Sequence, residues 1–376
     1  MISKRNSHID FLRFCGVFLV MIRHMNIGNK YIIDGPLKVI QVGGWIGVDL
    51  FFFLSGYLVT GLIINEYKIH GTFNPKRFLI RRGLKIYPTY YFFILYSFVF
   101  AYFIYGYRQS YTFVLRELFF VANYFPVNDI HLWSISVEEH FYFLLALLFF
   151  WLIKFKKINL KVIFYTYIIL LITGLAFRLH TYFTYNQYDF LREYAGSHIR
   201  FDSLFFGVLV VYISNYRKDI VGRILSSKFN LLFILLSLVF LSSNFVFKIA
   251  DYRLVSVINL ALNPICIGYL FIHFINFDTK YFSKLISPFA YIGKYSYSIY
   301  LFHVSFMTIA GLLVMPATLI YYLLYFSMAL LGGILISKSI EYPLISLREK
   351  YFPSLSTSIK LSSSYTKNIN IKASST

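Results

Sequence analysis

Acidic side chains are scarce in this sequence: 16 Asp and Glu stand against 36 Lys and Arg, and the four types together make up only 14% of 376 residues. So few charges cannot cover an ordinary soluble domain, where about a quarter of residues are charged. Cysteine is scarcer still. Cys15 and Cys266 both lie in apolar runs, so no disulfide framework is implied and the redox compartment stays open; Cys15 reads as a small packing residue ahead of a thioester nucleophile. Metal-ligand spacing, a P-loop and a G-x-G-x-x-G are all missing, and "FLSGYL" lacks the G-x-S-x-G frame of a nucleophile elbow. No internal repeat divides the chain into halves. What these absences leave is acid and base chemistry by isolated polar side chains.

Apolar residues dominate, at 58% hydrophobic and 21% aromatic with a mean hydropathy of +0.64. The pattern predicts an all-α integral membrane protein with about ten transmembrane helices, centred near residues 18, 55, 96, 143, 169, 207, 238, 264, 302 and 328. The net charge of +20 does not point to nucleic acid, because the Lys and Arg residues sit in short loops where they orient the protein. Lys4, Arg5, Lys68, Lys154, Lys156 and the basic run 76–85 fall on one side. Lys30, Lys38, Arg108, Arg116 and a few others are spread thinly on the other. By the positive-inside rule both termini are then cytoplasmic. The first apolar segment has no small-residue cleavage site and reads as a retained span. Residues 1–350 are expected to form one membrane domain, and 351–376, rich in Ser, Lys, Thr and Asn, a disordered polar cytoplasmic tail. "SYTFVLRELFFVANYF", residues 110–125, is too short and too charged to cross, and reads as an interfacial piece on the outer side.

The stretch "DFLRFCGVFLVMIRHM", residues 10–25, carries Arg13 and His24 inside an apparent span. Eleven steps of about 100° put the two within roughly 20° on the helix and about 16 Å apart along it. An isolated charge in the bilayer costs at least about 2.5 kcal/mol, so such residues have a partner or a task. With the first span running outward, His24 lies near the outer face, where the start of the second span brings Asp49. That carboxylate is a candidate to fix the imidazole's tautomer for general-base work, with a plain interhelical ion pair as the alternative. "HLWSISVEEHFYFLL" adds Trp133 as an interfacial anchor, Ser136 and Glu139 in capping-box spacing, and Glu138, left free to face the interior beside His24 and Asp49. On the cytoplasmic side Arg13 shares its level with Arg77, Arg81, Arg82 and Lys85, equipment for phosphate; positive-inside retention alone also accounts for the run. Arg200 and Asp202, two apart, each call for a partner on another helix. His303 lies mid-span, where a packing role competes with a functional one.

In these stretches the chain resembles the membrane-bound acyltransferase family 3, which O-acylates bacterial surface polysaccharides and other acceptors. "IDFLRFCGVFLVMIRH", "GGWIGVDLFFFLSGYLVT", "RRGLKIYP", "HLWSISVEEHFYFL", "RFDSLFFG", "GKYSYSIYLFH" and "SIEYPL" match its segments in order. Lys85 stands where the family generally has a second Arg, and His140 replaces a common Gln. The resemblance implies an O-acetyltransferase of the bacterial cytoplasmic membrane, with acetyl-CoA as co-substrate from the cytoplasm and no permanently bound cofactor. It implies a polysaccharide or lipid-linked saccharide acceptor, such as an O-antigen or capsule unit. Arg13, Arg81, Arg82 and Lys85 would engage CoA, and His24, with Asp49 or Glu138, would carry catalysis. Trp133, Arg200, Asp202 and His303 would line the acceptor side. Two rival expectations keep the same residues: an acyltransferase acting on a small hydroxylated metabolite, and a non-enzymatic carrier of a lipid-linked saccharide.

Overall fold

The computed structural model describes residues 6–106, 110–277 and 280–355. Lys4, Arg5 and Arg108 of the charge pattern, and the predicted polar tail beyond residue 355, lie outside them. Every regular element among the described residues is helical. In chain order these are α1 (Ser7–His24), α2 (Asp34–Gly43), α3 (Ile46–His70), α4 (Pro75–Tyr105), α5 (Tyr111–Leu118), α6 (Trp133–Lys154), α7 (Leu160–Thr184) and α8 (Phe201–Tyr216). Then come α9 (Lys218–Ser226), α10 (Asn230–Ser242), α11 (Arg253–Asn276), α12 (Lys280–Gly293), α13 (Ser296–Leu313), α14 (Leu319–Ile336) and α15 (Tyr342–Tyr351).

Local chemistry sets these boundaries. Asn6, Asn74, Asn159 and Thr318 each accept a bond from a backbone N–H in the first turn of the helix that follows, which satisfies donors the helix cannot. Pro75 opens α4, and Gly106, at φ 67°, closes it in the left-handed conformation that favours glycine. The basic run is therefore not a loop but the first turns of a 31-residue helix that continues through Pro88.

Each of the ten predicted centres falls on a helix. Seven stretches are long and apolar enough to cross a membrane unaided: α3, α4, α6, α7, α11, α13, and α14 continued through a π-helical turn into α15. A bent pair, α9 with α10, makes an eighth only if a 90° break is allowed within one span. The other two centres lie on α1, which has 18 residues but carries Asp10, Arg13 and Arg23, and on α8, at 16 residues. The protein is thus an all-helical multi-pass membrane protein.

Helix α1 threads the middle, packing on α3, α12, α13 and α2, with Val17, Val20 and Met21 almost fully buried. One close crossing is that of α3 on α8. There Gly56 meets the Leu204 carbonyl and Gly207 the Phe53 carbonyl so closely that a Cβ at either would collide with backbone. Small residues that let backbones touch are the usual means of packing helices in a membrane, where burial from water gives no drive.

Helix α5 is the short element expected from 110–125. It carries Glu117, fully buried, whose Oε1 accepts from the backbone N–H groups of Asn128 and Asp129, both at 3.0 Å. Burial pushes this carboxyl up to about 7. The folded protein therefore keeps a proton that the unfolded chain releases near pH 4.5, and stability falls as pH rises between those two values. Glu117→Gln, which keeps an acceptor for both amides, is expected to flatten the decline of Tm between about pH 5 and pH 8. A decline as steep as wild type would mean that another group causes it.

Candidate functional site

His24 stands in the last turn of α1, half-buried, beside a fully buried His303 from the middle of α13. Its Nδ1 lies 3.0 Å from the Val20 carbonyl oxygen one turn back and 3.0 Å from His303 Nε2. The opposite nitrogen of His303, Nδ1, faces the Tyr300 carbonyl at 2.6 Å. A third ring, His131, closes the group with its centroid 5.3 Å from that of His303, and its Nε2 donates to the Leu301 carbonyl at 3.0 Å. Tyr300 and Ser134 fix this wall: the tyrosine hydroxyl donates to the His131 carbonyl at 2.7 Å and meets Ser134 Oγ at 2.7 Å. Among the described residues no three His, Cys, Asp or Glu side chains are placed to hold a metal ion together. Among the described residues His24 bonds only through Nδ1, and Nε2 has no partner there.

The expectation that Asp49 or Glu138 orients His24 is corrected here. One oxygen of Asp49 is held by Arg200 and the other accepts from Asn263 Nδ2 at 2.9 Å, with both charged side chains fully buried. Asp202 takes Arg178 at 2.6 Å and the Ser203 N–H at 2.9 Å. Arg200 and Asp202 thus find partners on other helices, as their spacing requires, and tie α3, α7 and α8 together. Trp133, expected at the membrane interface, is only 4% exposed; it packs on Phe52 and Tyr194, with the Arg200 guanidinium 5.9 Å from its ring. Trp133, Arg200 and Asp202, expected to line the acceptor side, therefore belong to the interior frame. His303, expected with them, is the residue that reaches His24.

Glu138 lies at a different level. Its Oε2 accepts from Tyr142 at 2.8 Å, Tyr142 also bonds Ser55, and the charges it feels are those of Lys85 and Arg13. Glu139 accepts from Tyr87 at 3.0 Å and faces Arg82. The capping box is overturned as well. A 3₁₀ turn (Ile130–Leu132) runs straight into α6, so Ser136 is already inside the helix and its hydroxyl bonds back to the Leu132 carbonyl at 3.3 Å. Both glutamates are thus available to the basic end of the site.

At that end Arg13 meets Asp10 at 3.3 Å, and Arg82 lies over Phe78 at 6.0 Å. Arg81, expected to engage CoA, is covered by α15 and the segment after it. Its two Nη atoms face Glu349 at 2.9 and 3.4 Å, and it also bonds the Phe352 carbonyl. Arg348 shares Glu349, while Arg77 bonds the Pro353 carbonyl. A space of about 30 Å³ remains between Leu62, Phe78, Arg81, Arg82 and Leu355. Glu349 and His131 were missed in the sequence. His131 stands in a segment that was singled out, but nothing in its spacing links it to His24 or His303. Glu349 lies in an ordinary charged helix end.

The family described as "Acyltransferase domain" matches residues 6–338. Among curated proteins, the peptidoglycan O-acetyltransferase OatA of Listeria monocytogenes is 25% identical over 327 residues, covering 80% of this chain and 49% of its own length. The O-acetyltransferase OatA of Staphylococcus aureus strain NCTC 8325 is 27% identical over 328 residues, with 78% and 49% covered. A protein of S. aureus strain COL, provisionally named an O-acetyltransferase, is 26% identical over 324 residues, again with 78% and 49% covered. The chain spans about half the length of these curated relatives. No solved structure matches it.

Proposed function

This chain belongs to the acyltransferase family, and on that premise we propose that it moves an acetyl group from acetyl-CoA to a hydroxyl of a cell-envelope glycan or its lipid-linked precursor. One observation carries the reading. A single buried helix, α1, holds Arg13 at one end and His24 at the other on nearly the same face, with basic side chains at the first level and an open imidazole nitrogen at the second. A glycan acceptor is supported by the printed name of the Listeria relative, a peptidoglycan O-acetyltransferase; an O-antigen or capsule unit offers the same hydroxyl chemistry. The topology that fits is ten spans with both termini in the cytoplasm of a bacterium, so that the Arg13 end meets CoA and the His24 end meets the outer glycan.

In this reaction the CoA phosphates dock on Arg13, Arg82 and Lys85, joined by Arg81. The thioester arm reaches along the bundle. His24 Nε2 removes the proton of the sugar hydroxyl as its oxygen attacks the thioester carbon; the C–S bond breaks and the thiolate leaves, taking up a proton. The test is mass spectrometry of the envelope glycan from strains without and with the gene, beside calorimetry of CoA binding to the purified protein. An added acetyl mass and measurable CoA binding support the reading. A gene that leaves every glycan unchanged, in a protein that binds no CoA, sinks it.

The Glu349 carboxylate sits where a phosphate would pair with Arg81 and Arg348. Binding the donor must then displace it, so Glu349→Ala is expected to tighten CoA binding about three- to tenfold, the size of a partly exposed ion pair. An unchanged or weaker Kd would place the phosphates elsewhere.

A further inference from the structure

We infer that His303 is the positioning residue of this reaction: it accepts the Nδ1 hydrogen of His24 and so holds the open Nε2 as the base. The inference rests on the reading of His24 as the base and adds a partner to it. The argument is one of hydrogen placement. A carbonyl oxygen can only accept, so the nitrogen of His303 that faces Tyr300 at 2.6 Å carries the hydrogen. A neutral ring has one N–H, so His303 Nε2 is an acceptor. His24 Nδ1 then faces two acceptors, the Val20 carbonyl and His303 Nε2, each at 3.0 Å, and must itself be the donor. The lone pair of a neutral His24 is left on Nε2, where no group of the described residues meets it.

The two acceptors are not equivalent. Val20 belongs to the same helix and holds the ring only by its own turn. His303 comes from α13, 279 positions along the chain, and Tyr300 fixes its ring in a fully buried site. When Nε2 takes the hydroxyl proton, the charge that develops on His24 strengthens the Nδ1–H bond to His303, as a bond to a charged group exceeds one between neutral groups. A carboxylate commonly fills this place beside a catalytic histidine. Here Asp49 is consumed by Arg200 and Asn263, and a second imidazole takes the position. His131 and Tyr300 form the wall that keeps that imidazole from turning.

The experiment measures acetyl transfer from acetyl-CoA to the endogenous glycan in membrane vesicles, for wild type, His303→Leu, His303→Gln and His24→Ala. His303→Leu is expected to lower kcat about ten- to a hundredfold, the worth of one hydrogen bond to a charged group, with the KM for acetyl-CoA unchanged. His303→Gln, which retains an acceptor, should recover most of that loss. Full activity in His303→Leu alongside an inactive His24→Ala overturns the inference, as does a Gln variant as slow as Leu with KM intact. If the His303 variants do not fold, 15N spectra of histidine-labelled wild type decide, with the His24 signals assigned by their loss in His24→Ala. Nδ1–H on His24 supports the pairing; Nε2–H overturns it. Wild type that transfers no acetyl overturns the function reading, a fully active His24→Ala overturns His24 as the base and with it the role given to His303, and in both cases the spectra still judge the pairing.

Discussion

His24→Ala leaves the donor bound and the glycan without acetate: that is the expected result in cells and in vesicles, at matched membrane expression. General-base catalysis by a positioned side chain contributes about 10²–10⁴-fold, so the residual rate falls below what an intact glycan reveals by mass. Binding of acetyl-CoA should persist, because the cations proposed to hold it, Arg13, Arg82 and Lys85, stand at the other end of α1, about 16 Å away. Loss of transfer with donor affinity intact separates a missing base from a broken fold. His24 is only half-buried and its removal opens no sealed core, so a small stability change is expected. Acetylation by His24→Ala at the wild-type level would remove the imidazole from the mechanism altogether.

The second large effect is on stability. Asp49→Ala leaves Arg200 charged, fully buried and without its counterion, and strips Asn263 of an acceptor. Breaking a buried pair from one side costs about 3–5 kcal/mol, because the remaining charge cannot be hydrated. The site is a severe one, since Nε and Nη1 of Arg200 already lack acceptors in the structure. A marked fall in the detergent-solubilised Tm is expected, with transfer lost in proportion to folded protein. The double variant Asp49→Leu with Arg200→Met removes both charges and should recover most of the stability. A Tm for Asp49→Ala equal to wild type would mean that Arg200 reaches water or another acceptor. Recovered Tm without recovered transfer would show that the pair also shapes the acceptor side.

Asp49 and His303 show where sequence reasoning stops. Depth placed Asp49 in the layer of His24 but was silent about neighbours. Arg200, on another helix, reaches the carboxylate first, and a lone pair already engaged by a guanidinium cannot also orient an imidazole. His303 had the opposite fate. Mid-span and alone in its motif, it offered no spacing to a partner, yet α13 packs against α1 and sets ring beside ring. Ser136 and Glu139 failed for a local reason, since a 3₁₀ turn started the helix early and moved the serine inside it. The basic run opens α4, and its cover, Glu349 and the residues after α15, comes from the far end of the chain.

What the sequence determined by itself was whatever depends on composition and on the helical period: a helical membrane protein, ten helix centres, and the shared face of Arg13 and His24. Those follow from hydropathy and from 100° per residue, which need no partner. The tertiary structure alone decided which polar groups meet. In a membrane interior each donor must find an acceptor inside the protein, and several were within reach at every depth. Only the packing of α3 on α8 determined that Asp49 would satisfy Arg200, and only that of α1 on α13 that His303 would be left to His24.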